Sequence, residues 1–153
     1  MAEQRVTGTQ PEPRPGEVAA RLRLGVMRLS RRLRQHAPGN ISQSQLSALA
    51  TLVRDGAMPL GDLAAAERVQ PPTITRIVDA LVSAGLVSRR QASEDRRVVH
   101  VDATREGRAL VEAVRRRRDT YLAQRLNALD ADDIALLGRA AELLERLCED
   151  PQR

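Results

Sequence analysis

The sequence predicts a mainly α-helical fold in which four helices are followed by a two-stranded β-hairpin and two more helices. Three observations carry this. Apolar residues recur at steps of three and four along most of the chain, the period of an amphipathic helix. The period switches once, between residues 87 and 103, to the alternation of strands. The core has to be aliphatic, because 42% of the residues are hydrophobic yet there is no Phe, no Trp and one Tyr. A chain of 153 residues holds one domain's worth of such a core.

Residues 1–16 place Pro11, Pro13 and Pro15 among Gly, Thr and Gln, and read as a disordered arm. From Glu17 to about Gln35, Val18, Leu22, Val26, Leu29 and Leu33 make one stripe of a long helix. Arg21, Arg28, Arg31, Arg32 and Arg34 occupy much of the remainder, and Pro38-Gly39-Asn40 ends the helix. A second helix runs from Ser42 to about Arg54, with Leu46, Leu49, Leu52 and Val53 inward, and stops at Asp55-Gly56. A third, short and alanine-rich, spans about Leu60 to Arg68, and a tight Val69-Gln70-Pro71 link leads to the fourth.

The fourth helix opens on Pro71-Pro72, which a first turn tolerates because its N–H groups have no helical partner. Its apolar stripe falls at Ile74, Ile77, Val78, Leu81 and Val82. At roughly 100° per residue, Pro72, Thr73, Arg76, Asp79 and Ala80 lie on the far face, with Thr75 at the edge. Gly85 suits a left-handed stop. The stretches "VSRRQ" and "RRVVHVDA" favour strands, and "ASEDR" between them supplies turn residues. In the second strand Val99 and Val101 share one face, Val98 and His100 the other. Thr104 caps a long helix to about Ala128. Asp130 caps a last one to about Cys148, striped by Ile134, Leu137, Ala140, Ala141, Leu144 and Leu147.

Several function classes find no support. His36 and His100 have no cysteine or carboxylate at ligand spacing, so no metal or other cofactor is expected. Nucleophile–base sets and glycine-rich phosphate loops are missing, which argues against an enzyme. Cys148 is the only cysteine, so no internal disulfide can form and a reducing cytoplasm is the expected location. No apolar run is long enough to span a membrane. The net charge is +5 and all 25 basic residues are arginine, a balance compatible with nucleic acid and equally with lineage bias.

A short helix, a tight turn, a second helix and a hairpin together compose a winged helix-turn-helix, whose second helix reads the major groove of double-stranded DNA. Gln70, Pro72, Thr73, Thr75 and Arg76 are then the candidate contacts at the start of the reading helix. Hydroxyls suit base edges or phosphates, arginine suits guanine, and the helix N-terminus favours phosphate. Asp79 lies a turn further back, where a carboxylate close to phosphate is unfavourable. On the hairpin, Arg89 and Arg90 are candidate phosphate contacts. Asp95, Arg96 and Arg97 sit at or just after the tip, where an arginine can enter the adjacent minor groove and Asp95 can shape the turn.

At this point the chain resembles the multiple-antibiotic-resistance regulator (MarR) family of bacterial transcription factors. The resemblance rests on "TRIVDALVSAGLV", on the wing "EDRR" followed by a strand, and on "T-x-x-G" opening a long helix; it covers roughly residues 17–148. The family's wing Asp and second Arg correspond here to Asp95 and Arg97. One departure is Ala103, where the family's strand usually carries leucine before the threonine.

The resemblance implies a homodimer on an inverted-repeat operator, most often as a repressor. Residues 17–40 and 104–148 would form a helical dimerisation region, and 41–103 the DNA-binding domain. It also implies a small lipophilic or phenolic anion as effector. The residues point to pairing independently, because the terminal helices carry apolar stripes that the small central module cannot cover. The run "RRRR" at 115–118 nearly encircles its helix, so it is either a solvated face or turns at least one arginine toward protein or ligand. Two rival readings remain at this stage: a thiol-responsive regulator working through Cys148, and a winged helix used only to bind protein.

Overall fold

The computed structural model describes residues 14–36, 40–91 and 99–149. Most of the break expected at Pro38-Gly39-Asn40 and the whole hairpin tip, with Asp95, Arg96, Arg97 and Val98, lie outside the described residues. The chain divides into two compact units, residues 1–35 and 36–153. The first contains α1 (Pro15–Arg34), which starts two residues before the expected Glu17, with Pro15 in the first turn. No residue of α1 is buried.

The second unit holds α2 (Gln43–Asp55), β1 (Met58–Pro59), α3 (Leu60–Ala66), α4 (Pro71–Ser83), β2 (Val87–Gln91), β3 (Val99–Ala103), α5 (Arg105–Leu126) and α6 (Ala131–Cys148). Its core is built from the inward stripes of α2, α3 and α4, with Leu49, Leu52, Leu63, Ile74, Val78 and Leu81 all but inaccessible. Val101 of β3 and Val111 and Val114 of α5 close it. Val82 departs from its expected place in the stripe and is 37% exposed. It lies about 80° round from Ile74 at helical spacing, at the outer edge of the stripe, whereas Leu81 in the same turn stays in the core.

Local chemistry explains the element ends. Ser42 and Gln45 cap α2 reciprocally: the Gln45 N–H donates to Ser42 Oγ at 3.2 Å and the Ser42 N–H to Gln45 Oε1 at 2.8 Å. Helix α4 closes as expected on Gly85, at φ 71°, with the Leu86 N–H donating to Leu81 O and the Gly85 N–H to Val82 O. Helix α3 ends two residues short of its expected limit. The same terminal pattern occurs there, with the Val69 N–H on Ala64 O, but the left-handed position is filled by Arg68 at φ 53°. Glu67 anchors that turn by accepting a 2.7 Å hydrogen bond from the hydroxyl of buried Thr51 on α2.

The sheet has three antiparallel strands in the order β1-β3-β2, one more than the sequence predicts. Strand β1 is two residues long and contains a proline, so it has no period to read; it exists because Met58 and Pro59 pair with Val101 and His100. In the hairpin Val87 faces Ala103 and Gln91 faces Val99. Ala103, where a leucine was the family's norm, is buried.

Thr104 joins three elements. Its hydroxyl donates to Gly85 O at 2.7 Å beyond α4 and accepts from the Gly107 N–H at 3.1 Å in the first turn of α5. Its own N–H donates to Leu86 O at 3.0 Å. Replacing the hydroxyl removes a helix cap and a tie between elements together. Thr104→Ala is therefore expected to destabilise the fold by about 1–2 kcal/mol, as cap losses do. Urea denaturation checks this, with Thr104→Ser expected to retain most of the stability.

Candidate nucleic-acid interface

Because Ile74, Val78 and Leu81 fasten α4 to the core, its opposite face is fixed outward. Gln70, Pro72, Thr73 and Arg76 are all exposed there, and Thr75 is half-buried at the edge, as the helical period requires. Arg76 makes no hydrogen bond or ion pair to another described residue, so among those residues its guanidinium fork is uncommitted. The Thr75 hydroxyl donates to Pro71 O at 2.8 Å. Its lone pairs remain for a donor such as a base amino group.

One expectation is corrected at the start of this helix. An N-terminus holds phosphate through free N–H groups. Here the first two residues are prolines without N–H, and the N–H groups of Thr73 and Ile74 both point to Gln70 O, at 2.9 and 3.2 Å. Gln70 itself supplies no side-chain cap. An anion at this end would therefore be met by side chains such as the exposed Thr73 and Arg76, with only the helix dipole behind them.

The two arginines of β2 part company. Alternation along the strand sets Arg89 on the side of buried Val87 and Arg90 on the other. Arg89 reaches α4: its Nη1 lies 2.6 Å from Asp79 Oδ1, and its Nη2 donates to Thr75 O at 3.5 Å. Arg90 lines a small hollow of about 50 Å³ with Ser88, His100 and Asp102. The structure thus brings Arg89, but not Arg90, to the reading helix. Sequence reasoning placed Asp79 on the outer face and gave it no partner. Opposite charge ten residues apart was the available signal, but only the strand register makes the two meet.

On α5 the four-arginine run divides. Arg115 pairs with Glu112 at 3.1 Å. Arg116 and Arg117 line an open hollow of about 490 Å³ together with His36, Thr120 and Tyr121. Within it the His36 and Tyr121 rings lie 4.2 Å apart; Arg125, which does not line the hollow, stands 5.3 Å from the centre of the Tyr121 ring. Arg118 turns inward, with Nε and Nη2 buried and no hydrogen-bond partner among the described residues. Cys148, the last residue of α6, is exposed. Among the described residues no group of three or more His, Cys, Asp or Glu could hold a metal, and no helix is long and apolar enough to cross a membrane.

Comparison with known proteins agrees with this geometry. The MarR family model matches residues 41–99, from the start of α2 to the start of β3. The chain is 43% identical over 134 residues to an HTH-type transcriptional regulator of Mycobacterium leprae, covering 87% of this chain and 94% of that one. It superposes on the crystal structure of a transcriptional regulator from Pseudomonas aeruginosa with a TM-score of 0.80 at 32% identity, over 90% of this chain and 99% of the other. Wild-type MarR from E. coli in its apo form gives a TM-score of 0.73 at 25% identity, with 90% and 99% covered. With α3, α4, β2 and β3 in the order of a winged helix-turn-helix and its match to these regulators spanning nearly their whole length, the chain belongs to the MarR family of HTH-type, DNA-binding transcriptional regulators.

Proposed function

We propose that the protein is a cytoplasmic, homodimeric repressor that binds an inverted-repeat operator in double-stranded DNA through α4 and the wing. The observation that carries this is the outward face of α4: exposed Thr73 and uncommitted Arg76, held by a helix whose other face is locked in the core. Gln70, Pro72 and Thr75 border that face, Arg90 stands on the neighbouring strand, and Asp95, Arg96 and Arg97 belong to the wing tip by their place in the sequence. Arg97 is the residue assigned to the minor groove, where electrostatic potential favours an arginine over other side chains.

Pairing of two copies is supported by the apolar residues that each unit leaves uncovered. Val18, Leu22, Val26 and Leu29 of α1 are exposed, as are Ile134, Leu137 and Leu147 of α6. Neither helix has a single buried residue, and stripes of that length call for a partner. A two-fold dimer with one reading helix per subunit recognises two half-sites centred ~10 bp apart. Release by a small lipophilic or phenolic anion fits the hollow beside Tyr121, where arginines and an aromatic pair stand together.

The test is light scattering at micromolar concentration combined with unbiased selection of bound duplexes. A dimer that enriches an inverted repeat is expected. A monomer, or enrichment of one unrepeated site, overturns the dimeric reading. Failure to retain any duplex would instead favour a protein-binding role for the winged module.

A further inference from the structure

We propose that Asp79 and Arg89 form a positioning pair that sets the angle of the wing against the reading helix, so that Arg89 is a brace and not a phosphate contact. This rests on the DNA-binding reading above and assigns one of its residues a different task.

The geometry is specific. Helix α4 is fastened along its length by Ile74, Val78 and Leu81, whereas β2 is rooted in the core only at Val87. Beyond Ser88 the strand is exposed, and its next residue is Arg89. That side chain crosses to α4 and touches it twice, at Asp79 Oδ1 (2.6 Å) and at Thr75 O (3.5 Å). Among the described residues it is a side-chain tie between β2 and α4 above the root, two residues before the strand ends at Gln91.

Charge supports the same reading. A phosphate approaching Arg89 meets an ion pair of no net charge, so little counterion release follows from contacting it. For Asp79 the pairing removes the repulsion that a lone carboxylate on this face would exert. Both side chains are partly exposed, at 33% and 55%, so the bridge adds little to folding stability. A contact that scarcely stabilises the fold but fixes two DNA-facing elements relative to each other acts through binding. A wing at the wrong angle cannot engage its groove while α4 sits in the next one.

The two roles predict opposite signs. Binding of a selected operator is measured for Arg89→Gln, Asp79→Asn, the double variant and Arg89→Lys across a range of salt. As a brace, each single neutral variant weakens binding about tenfold, within the range for coupled neighbours. The double variant is then no worse than either single one, the log–log salt slope stays at the wild-type value, and Arg89→Lys, which keeps the ion pair, recovers most of the affinity. If Arg89 instead neutralises a phosphate, Asp79→Asn tightens binding and Arg89→Gln makes the slope shallower by about one unit. That result overturns the proposal, as does unchanged binding in both single variants. A wild-type chain that retains no duplex at all overturns the DNA-binding reading together with it.

Discussion

Gly107→Ala is expected to destabilise the fold by about 3 kcal/mol, at the upper end of what overpacking costs in a well-filled interior. A Cβ at this position would stand 2.2 Å from the carbonyl oxygen of Leu86 and 3.0 Å from Leu49 Cδ1. The leucine side chain can yield, but the carbonyl cannot. Leu86 O accepts the Thr104 N–H, and Leu86 follows directly on the left-handed Gly85. Relief therefore requires the first turn of α5 to move away from the junction of α4 and β2. Thermal denaturation at fixed protein concentration would show a melting temperature lower by roughly 6–12 °C for a domain of this size. Gly61→Ala is the control: nothing lies within 4 Å of its Cβ and its φ is ordinary for a helix, so it should be neutral or slightly stabilising. Equal stability of Gly107→Ala and wild type would show that α5 does not need to approach so closely.

The second large effect concerns recognition. Arg76→Ala is expected to weaken binding to a selected operator by about 1–3 kcal/mol, roughly 5- to 150-fold, and to relax preference at one base position. The residue is exposed and bonded to no other described residue, so its removal leaves the fold intact and the whole loss falls on binding. Binding to random duplexes should change far less. An equal loss on specific and random DNA would identify Arg76 as a phosphate contact, and no loss on either would remove it from the interface.

How much of this could be read before the structure depends on the range of the interactions involved. The stripe from Ile74 to Leu81, the Gly85 stop and the Thr104 and Asp130 caps are properties of neighbours within one or two turns, and each stands where the sequence puts it. The end of α3 is also local, but it was obscured because arginine occupies a left-handed position where glycine would have marked the boundary. Strand β1 was illegible for a different reason. Two residues carry no period, and its identity as a strand comes from β3, some forty residues away.

The site follows the same division. The exposure of Thr73 and Arg76 comes from the helical period alone. The bond from Arg89 to Asp79 requires the hairpin's register and the rotation of α4 to be known together, and neither is contained in a local pattern. The loss of free N–H groups at the start of α4 was in principle readable from Pro71-Pro72; what the structure adds is that Gln70 O takes the next two donors. The T-x-x-G spacing was visible as a motif and its threonine is a local cap, yet the need for glycine at 107, with the Leu86 carbonyl where a methyl would go, is tertiary.

The threonine joint at residue 104 also matters mechanically, because one residue ties three elements at a single point. A single hydroxyl and one N–H hold the end of α4, the base of the wing and the first turn of α5 at distances of 2.7 to 3.1 Å, with no flexible linker between them. A shift of the first turn of α5 away from this joint would have to stretch or break those bonds. A change at the first turn of α5 would thus be felt first at the end of α4 and at the foot of β3, the places this one residue ties together.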